Sequence, residues 1–113
     1  MSAPTIDLAT FTELQDTAGA EFVAELVDTF LEETPGLLAE LRRSLAAADA
    51  PAFERAAHSL KSNANTFGAL TLGALARGLE LGSLAAAGDG TALEALNEEY
   101  GRAAAALREL RHG

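Results

Sequence analysis

Apolar positions return along almost the whole chain at steps of three and four, the spacing that gathers side chains on one face of an α-helix. Ala, Leu and Glu dominate, β-branched residues are few, and no Asn-Gly or Asp-Gly pair separates alternating apolar runs. The expected fold class is therefore all-α. Thr10-Phe11-Thr12-Glu13 has capping-box spacing and predicts a short first helix from about Asp7 or Thr10 to Thr17, closed by Gly19. Phe22, Leu26, Phe30, Leu37, Leu41 and Leu45 then keep one stripe through to Ala48, which predicts a long second helix. Pro35 lacks an amide and crowds the carbonyl of Leu31, so a bend is expected there. The stripe keeps its phase across the proline, as one bent helix requires.

Asp49-Ala50-Pro51 offers a cap and an early-turn proline, and Phe53, Ala57, Leu60, Ala64 and Phe67 mark the inward face of a third helix that ends at Gly68. A fourth helix is expected from Ala69 or Thr71 to Ala87, with Leu72, Leu75 and Leu79 inward. Its glycines Gly73, Gly78 and Gly82 each cost roughly 1 kcal/mol against alanine, which implies close approach of a neighbouring backbone. Gly88-Asp89-Gly90 is a turn, Thr91-Ala92-Leu93-Glu94 is a second capping box, and Leu93, Leu96, Tyr100, Ala103, Leu107 and Leu110 line the last helix. Four long amphipathic segments with short connections predict an antiparallel, up-down-up-down four-helix bundle with the short first helix as a lid, in one domain spanning residues 1–113.

Composition narrows the function. The chain has 113 residues, enough for a core without staples, and no cysteine, which excludes disulfides, Cys-based zinc sites and thiol nucleophiles. No apolar run approaches the roughly 20 residues of a membrane span, and Met1-Ser2-Ala3-Pro4-Thr5-Ile6-Asp7 is not a basic stretch leading into an apolar one. A cytoplasmic location is expected. A net charge of −9 disfavours nucleic acid and anionic lipid as partners.

The chemistry concentrates in the third helix. With its apolar stripe inward, the opposite stripe holds Arg55, His58, Lys61, Ser62 and Asn65. Arg55 and Lys61 bracket His58 at i−3 and i+3, and they are two of only eight Lys and Arg residues. Cations beside an imidazole favour its neutral, nucleophilic form and can hold a transferred phosphoryl group. Ser62, at i+4, leaves the ring accessible. The plainer readings are surface pairing of Arg55 and Lys61 with acids such as Glu54, helix-end caps for Asn63 and Asn65, a C-cap for Gly68, and solvated surface for Arg42 and Arg43. His112 reads as tail with no role. A metal-binding bundle enzyme would need Glu-x-x-His pairs on two helices, whereas Glu54 and His58 are four apart, so no metal site is expected. There is no Gly-x4-Gly-Lys-Ser/Thr loop and no kinase signature to bind ATP, so the chain is not expected to be an enzyme or to phosphorylate itself.

Ala57-His58-Ser59-Leu60-Lys61 followed by Ser62-Asn63-Ala64-Asn65-Thr66-Phe67-Gly68-Ala69 resembles the signature of histidine-containing phosphotransfer (HPt) domains, His-x-Leu-Lys-Gly-x5-Gly. Phe22 to Leu26, Phe30-Leu31, Pro35, Leu41 and Asp49 resemble that family's long kinked helix and the turn before the histidine, and Leu75 to Glu80 resembles its following helix. The resemblance implies that His58 accepts a phosphoryl group from a receiver-domain aspartate and passes it to another, with Lys61 steadying the phosphate; from the residues themselves, the Ser62 hydroxyl is expected to bond a phosphoryl oxygen, with Arg55, Asn65 and Gly68 in support. Ser62 stands where the family usually has glycine, and Glu80 where several members have glutamine. The implied partners are response-regulator receiver domains and a hybrid sensor histidine kinase, the chain itself is expected to be a monomer, and Mg²⁺ is expected on the receiver rather than here. Phe11, Leu14 and Phe22 are candidates for an apolar docking patch. The alternatives are an interaction module that binds receivers without accepting phosphate, or the phosphoacceptor domain of a chemotaxis-type kinase. The start at Met1 and the ending after one bundle favour a stand-alone relay.

Overall fold

The computed structural model describes residues 5–112. The described residues form five helices and no strand: α1 (Leu8–Ala18), α2 (Ala20–Ala46), α3 (Ala50–Thr66), α4 (Leu70–Ala87) and α5 (Thr91–His112). Helices α2, α3, α4 and α5 pack in a ring in chain order, α5 closing against α2, while α1 lies on α2 and α3. Phe53, Leu41, Leu60, Leu72, Leu96, Leu107, Val23 and Val27 fill the centre and are shut off from solvent. No helix among the described residues is long and apolar enough to cross a membrane. The side chain of His112 lies outside the described residues.

Helix starts follow local hydrogen bonding, and two of them differ from the expected capping boxes. α1 begins at Leu8 with Asp7 before it, and Thr10 donates its hydroxyl to the Asp7 carboxylate instead of capping a later start. The reason is tertiary: the Asp7 amide donates to the carbonyl of Gly68 at 2.7 Å, which fixes the chain one residue ahead of the helix. At α5 the cap is supplied by Asp89, whose Oδ1 accepts from the Thr91 amide at 3.0 Å and the Thr91 hydroxyl at 2.6 Å. Those donors, the hydroxyl first, hold the Asp89 carboxyl below its ordinary range. At α3 the expected cap forms, with Asp49 accepting from the Ala52 amide at 3.2 Å and Pro51 in the first turn, where a missing amide costs nothing.

α2 is one 27-residue helix that runs through Pro35. The proline cannot donate to the Leu31 carbonyl, and Tyr100 of α5 donates its hydroxyl to that oxygen at 3.3 Å. Burial pushes the Tyr100 phenol above its ordinary range, so it stays a donor. The buried stripe of α2 is Val23, Val27, Phe30, Thr34, Leu41 and Ser44. That is a correction to the expected stripe: Phe22 is 52 % exposed, and Leu26, Leu37 and Leu45 are only partly covered. α2 has leucines on both flanks of a wide apolar arc, and its neighbours α3 and α5 choose the middle of that arc.

α4 departs furthest from its periodicity. It is apolar nearly all round, so spacing alone cannot choose a face, and Leu75 is exposed while Leu72, Gly73, Ala76 and Leu79 are buried. The close neighbour of Gly73 is a side chain rather than the expected backbone, since a Cβ there would collide with Asn65 on α3, and Gly78 has no close neighbour at all. Gly78→Ala is therefore expected to raise stability by about 0.5–1 kcal/mol, read as a higher midpoint in thermal denaturation; no gain would mean that this outer face is covered by something. A further feature, unforeseen in the sequence, is the break at Ser83, whose φ of 55° and ψ of −146° interrupt the helix. The Ser83 hydroxyl donates to Glu54 Oε2 on α3 at 2.6 Å, so the break is tied across the helix pair.

Candidate functional site

The buried residues of α3 are Ala52, Phe53, Ala56, Ala57, Leu60 and Ala64. Helical spacing from those positions leaves residue 58 on the opposite side, and the His58 side chain is 58 % exposed. Its ring is not free to turn. Nδ1 lies 2.6 Å from Oε2 of Glu80 on α4, and the other oxygen of that carboxylate accepts from Lys61 Nζ at 2.7 Å. One carboxylate thus holds the histidine and the lysine together. Lys61 first, and His58 after it, keep the Glu80 carboxyl below the usual carboxylate range. The sign follows: what this clasp adds to folding is complete above the ordinary glutamate value and is lost as pH falls through the lowered one.

The carboxylate changes the electrostatics inferred from sequence. The ring was expected to stand between two cations; its nearest charged partner is an anion, and Lys61 is committed to that anion rather than to open space. An acceptor at Nδ1 favours the tautomer with the proton on that nitrogen, which leaves the lone pair on Nε2. His58 stands between two open clefts. One, of about 560 Å³, is lined by Pro51, Glu54, Arg55, Ser59 and Glu80 as well as His58. The other, of about 530 Å³, is lined by Glu33, Gly36 and Leu37 of α2 with His58, Ser59, Ser62 and Asn63 of α3.

The remaining sequence candidates fall into two groups. Arg55 and Ser62 flank the ring, one on each cleft, and Arg55 forms no ion pair among the described residues; Glu54 is taken by Ser83 instead. Asn65 and Gly68 belong to the end of α3 and to packing. The Asn65 side chain lies over Gly73, and its backbone carbonyl accepts from the Phe67 and Gly68 amides, so its side chain does not cap the helix. Gly68 has φ +84° and receives the Asp7 amide on its carbonyl, which ties α1 to the α3–α4 turn. Of the apolar patch candidates Phe11 is buried, Leu14 is partly covered and Phe22 alone is well exposed.

Glu80 is the site residue that the helical pattern did not single out as a partner of the ring. It and His58 lie equally far along the chain from Ala69, the relation that brings residues of a helical hairpin side by side. That symmetry, with the family's glutamine at this position, was the available signal.

Comparison with known proteins bears on the family and the fold. The Hpt domain family model matches residues 25–110. Among solved structures, the crystal structure of histidine-containing phosphotransfer protein B (HptB) from Pseudomonas aeruginosa PAO1 is similar, with a TM-score of 0.87 and 26% identity over 98% of this chain and 97% of that one. No curated protein sequence matches the chain. With the family model covering most of the sequence, the motif around His58 and the helical fold sharing one scaffold, the chain belongs to the Hpt domain family.

Proposed function

We propose that this chain relays a phosphoryl group between receiver-domain aspartates in a multistep phosphorelay and carries it on Nε2 of His58. Hpt domains are phosphocarrier modules rather than catalytic enzymes, and the relay reading keeps that role. The observation that carries it is the exposed ring with Nδ1 held by Glu80. The Nε2 lone pair attacks the phosphorus of an aspartyl phosphate, the bond from phosphorus to the carboxylate oxygen breaks, and the aspartate leaves with that electron pair. The Nδ1 proton stays where it is. The phosphorylated ring therefore gains a positive charge, and the Glu80 carboxylate lies at hydrogen-bond distance to offset it. Return of the phosphoryl group to a second aspartate reverses each step.

Lys61 acts on the ring through Glu80, holding the carboxylate in place for Nδ1. Ser62 offers a hydroxyl one turn from His58 on the α2–α3 side, and Arg55 a guanidinium on the α3–α4 side. The scaffold of this reading is an antiparallel up-down-up-down bundle, one domain and one monomer, working in the cytoplasm. Its partners are receiver domains and a hybrid histidine kinase, and the Mg²⁺ that aspartyl phosphate chemistry uses is the receiver's.

The test of the ring's arrangement is transfer from a phosphorylated receiver, run with Glu80 variants. Glu80→Ala is expected to slow transfer about tenfold or more and to shift the His58 tautomer balance seen by ¹⁵N NMR. Glu80→Gln, which keeps an acceptor for Nδ1–H, should restore the tautomer but only part of the rate, because the charge is gone. Equal rates and an unchanged tautomer in all three proteins would remove Glu80 from the mechanism.

A further inference from the structure

The two nitrogens of an imidazole point in nearly opposite directions, and His58 spends Nδ1 on α4 through Glu80. Nε2 is therefore directed away from the Glu80 carboxylate, and the ring also borders the cleft between α2 and α3. The residues lining that cleft with His58 are Glu33, Gly36, Leu37, Ser59, Ser62 and Asn63. They include one charged side chain, and it is a carboxylate. The cations of the motif are elsewhere: Lys61 is bound to Glu80, and Arg55 lines the opposite cleft.

From this sidedness we infer that Glu33 is a specificity-determining residue that faces the phosphoryl group across the α2–α3 cleft and raises its tendency to leave. The inference rests on the proposed phosphorylation of His58. Once Nε2 carries a phosphoryl dianion, the Glu33 carboxylate and the phosphoryl oxygens repel each other through partly solvated space. Neutral donors, the Ser59 and Ser62 hydroxyls and the Asn63 amide, are the groups available in that cleft to bond the oxygens. The repulsion disfavours phosphohistidine relative to aspartyl phosphate on a receiver whose Mg²⁺ site brings positive charge, so Glu33 favours onward transfer and partners that present a cation to this cleft. At separations of one cleft width the effect on the transfer equilibrium is about two- to fivefold, and salt reduces it.

The experiment charges a purified receiver domain from a labelled acyl-phosphate donor such as acetyl phosphate in the presence of Mg²⁺, equilibrates it with the full chain, and measures the ratio of phosphohistidine to aspartyl phosphate. Glu33→Gln is compared with wild type and with Glu32→Gln, a neighbouring exposed position that loses the same charge but does not line the cleft. The expected result is about a two- to fivefold rise in the phosphohistidine fraction for Glu33→Gln only, shrinking as salt is raised. An equal rise in both variants assigns the effect to net charge, and an unchanged Glu33→Gln ratio removes the residue's role; either overturns the inference. Wild type that takes no label overturns the relay reading and this inference with it, whereas labelled wild type with an unaffected Glu33→Gln overturns this inference alone.

Discussion

Replacing His58 with glutamine is expected to abolish labelling of the chain by a phosphorylated receiver domain, from a wild-type product that is acid-labile and base-stable to none. The size of the effect follows from where the lone pair sits. Glutamine can still accept or donate near Glu80, but its amide nitrogen is no nucleophile, and Ser59, the other residue shared by the two clefts, carries a hydroxyl whose phosphate ester would be stable to acid. The fold should not notice. His58 lies outside the core, so the midpoint of thermal unfolding should move by no more than the equivalent of about 0.5 kcal/mol. Labelling that persists in the variant, or a wild-type product stable to acid, would defeat the assignment of His58. A wild type that binds receivers tightly and never takes label would instead support the interaction module.

Gly68→Ala should produce the largest loss of stability among single substitutions outside the core, about 2–4 kcal/mol, or roughly 10 °C in the unfolding midpoint. Two costs add at this residue. Its φ of +84° is one that an L side chain rarely adopts, and a Cβ there would lie 2.7 Å from the Asp7 carbonyl oxygen and 3.1 Å from Thr10 Cβ. The first of those atoms is backbone, so it cannot swing aside; α1 must move, and the bond from the Asp7 amide to the Gly68 carbonyl goes with it. Phe11 and Ile6, both buried, would then lose cover. Transfer through His58 should survive at temperatures where the protein is folded, because the outer stripe of α3 is untouched. A loss under about 1 kcal/mol would mean that α1 is not clamped at this turn.

Particular residues show why some of this was legible beforehand. The expected inward residues Phe53, Ala57, Leu60 and Ala64 of α3, and Phe67 just past its end, are all buried, because that helix alternates apolar and polar sides cleanly and has a neighbour on each flank. Its outward residues followed at once, and with them the exposure of His58. α4 gave no such guidance: an almost wholly apolar helix can bury any face, and the contact with α3 decided that Leu75 would be left out. The capping boxes at Thr10 and Thr91 failed for a different reason. Asp7 and Asp89 lie just upstream and take the two threonine hydroxyls, and at Asp7 a bond from across the fold settled the start.

The chain's own order of residues determined the helices, the family motif and the side of α3 that meets water, since these depend on spacing within a few turns of a single helix. Only the packing of α3 on α4 decided that Glu80 takes both Nδ1 of His58 and the Lys61 ammonium, and only the packing of α2 on α3 put Glu33 along the cleft beside the ring. Hydrogen bonds and charges act over a few ångströms, and residues as far apart in the chain as His58, Lys61 and Glu80 come within that range only when helices fold against each other.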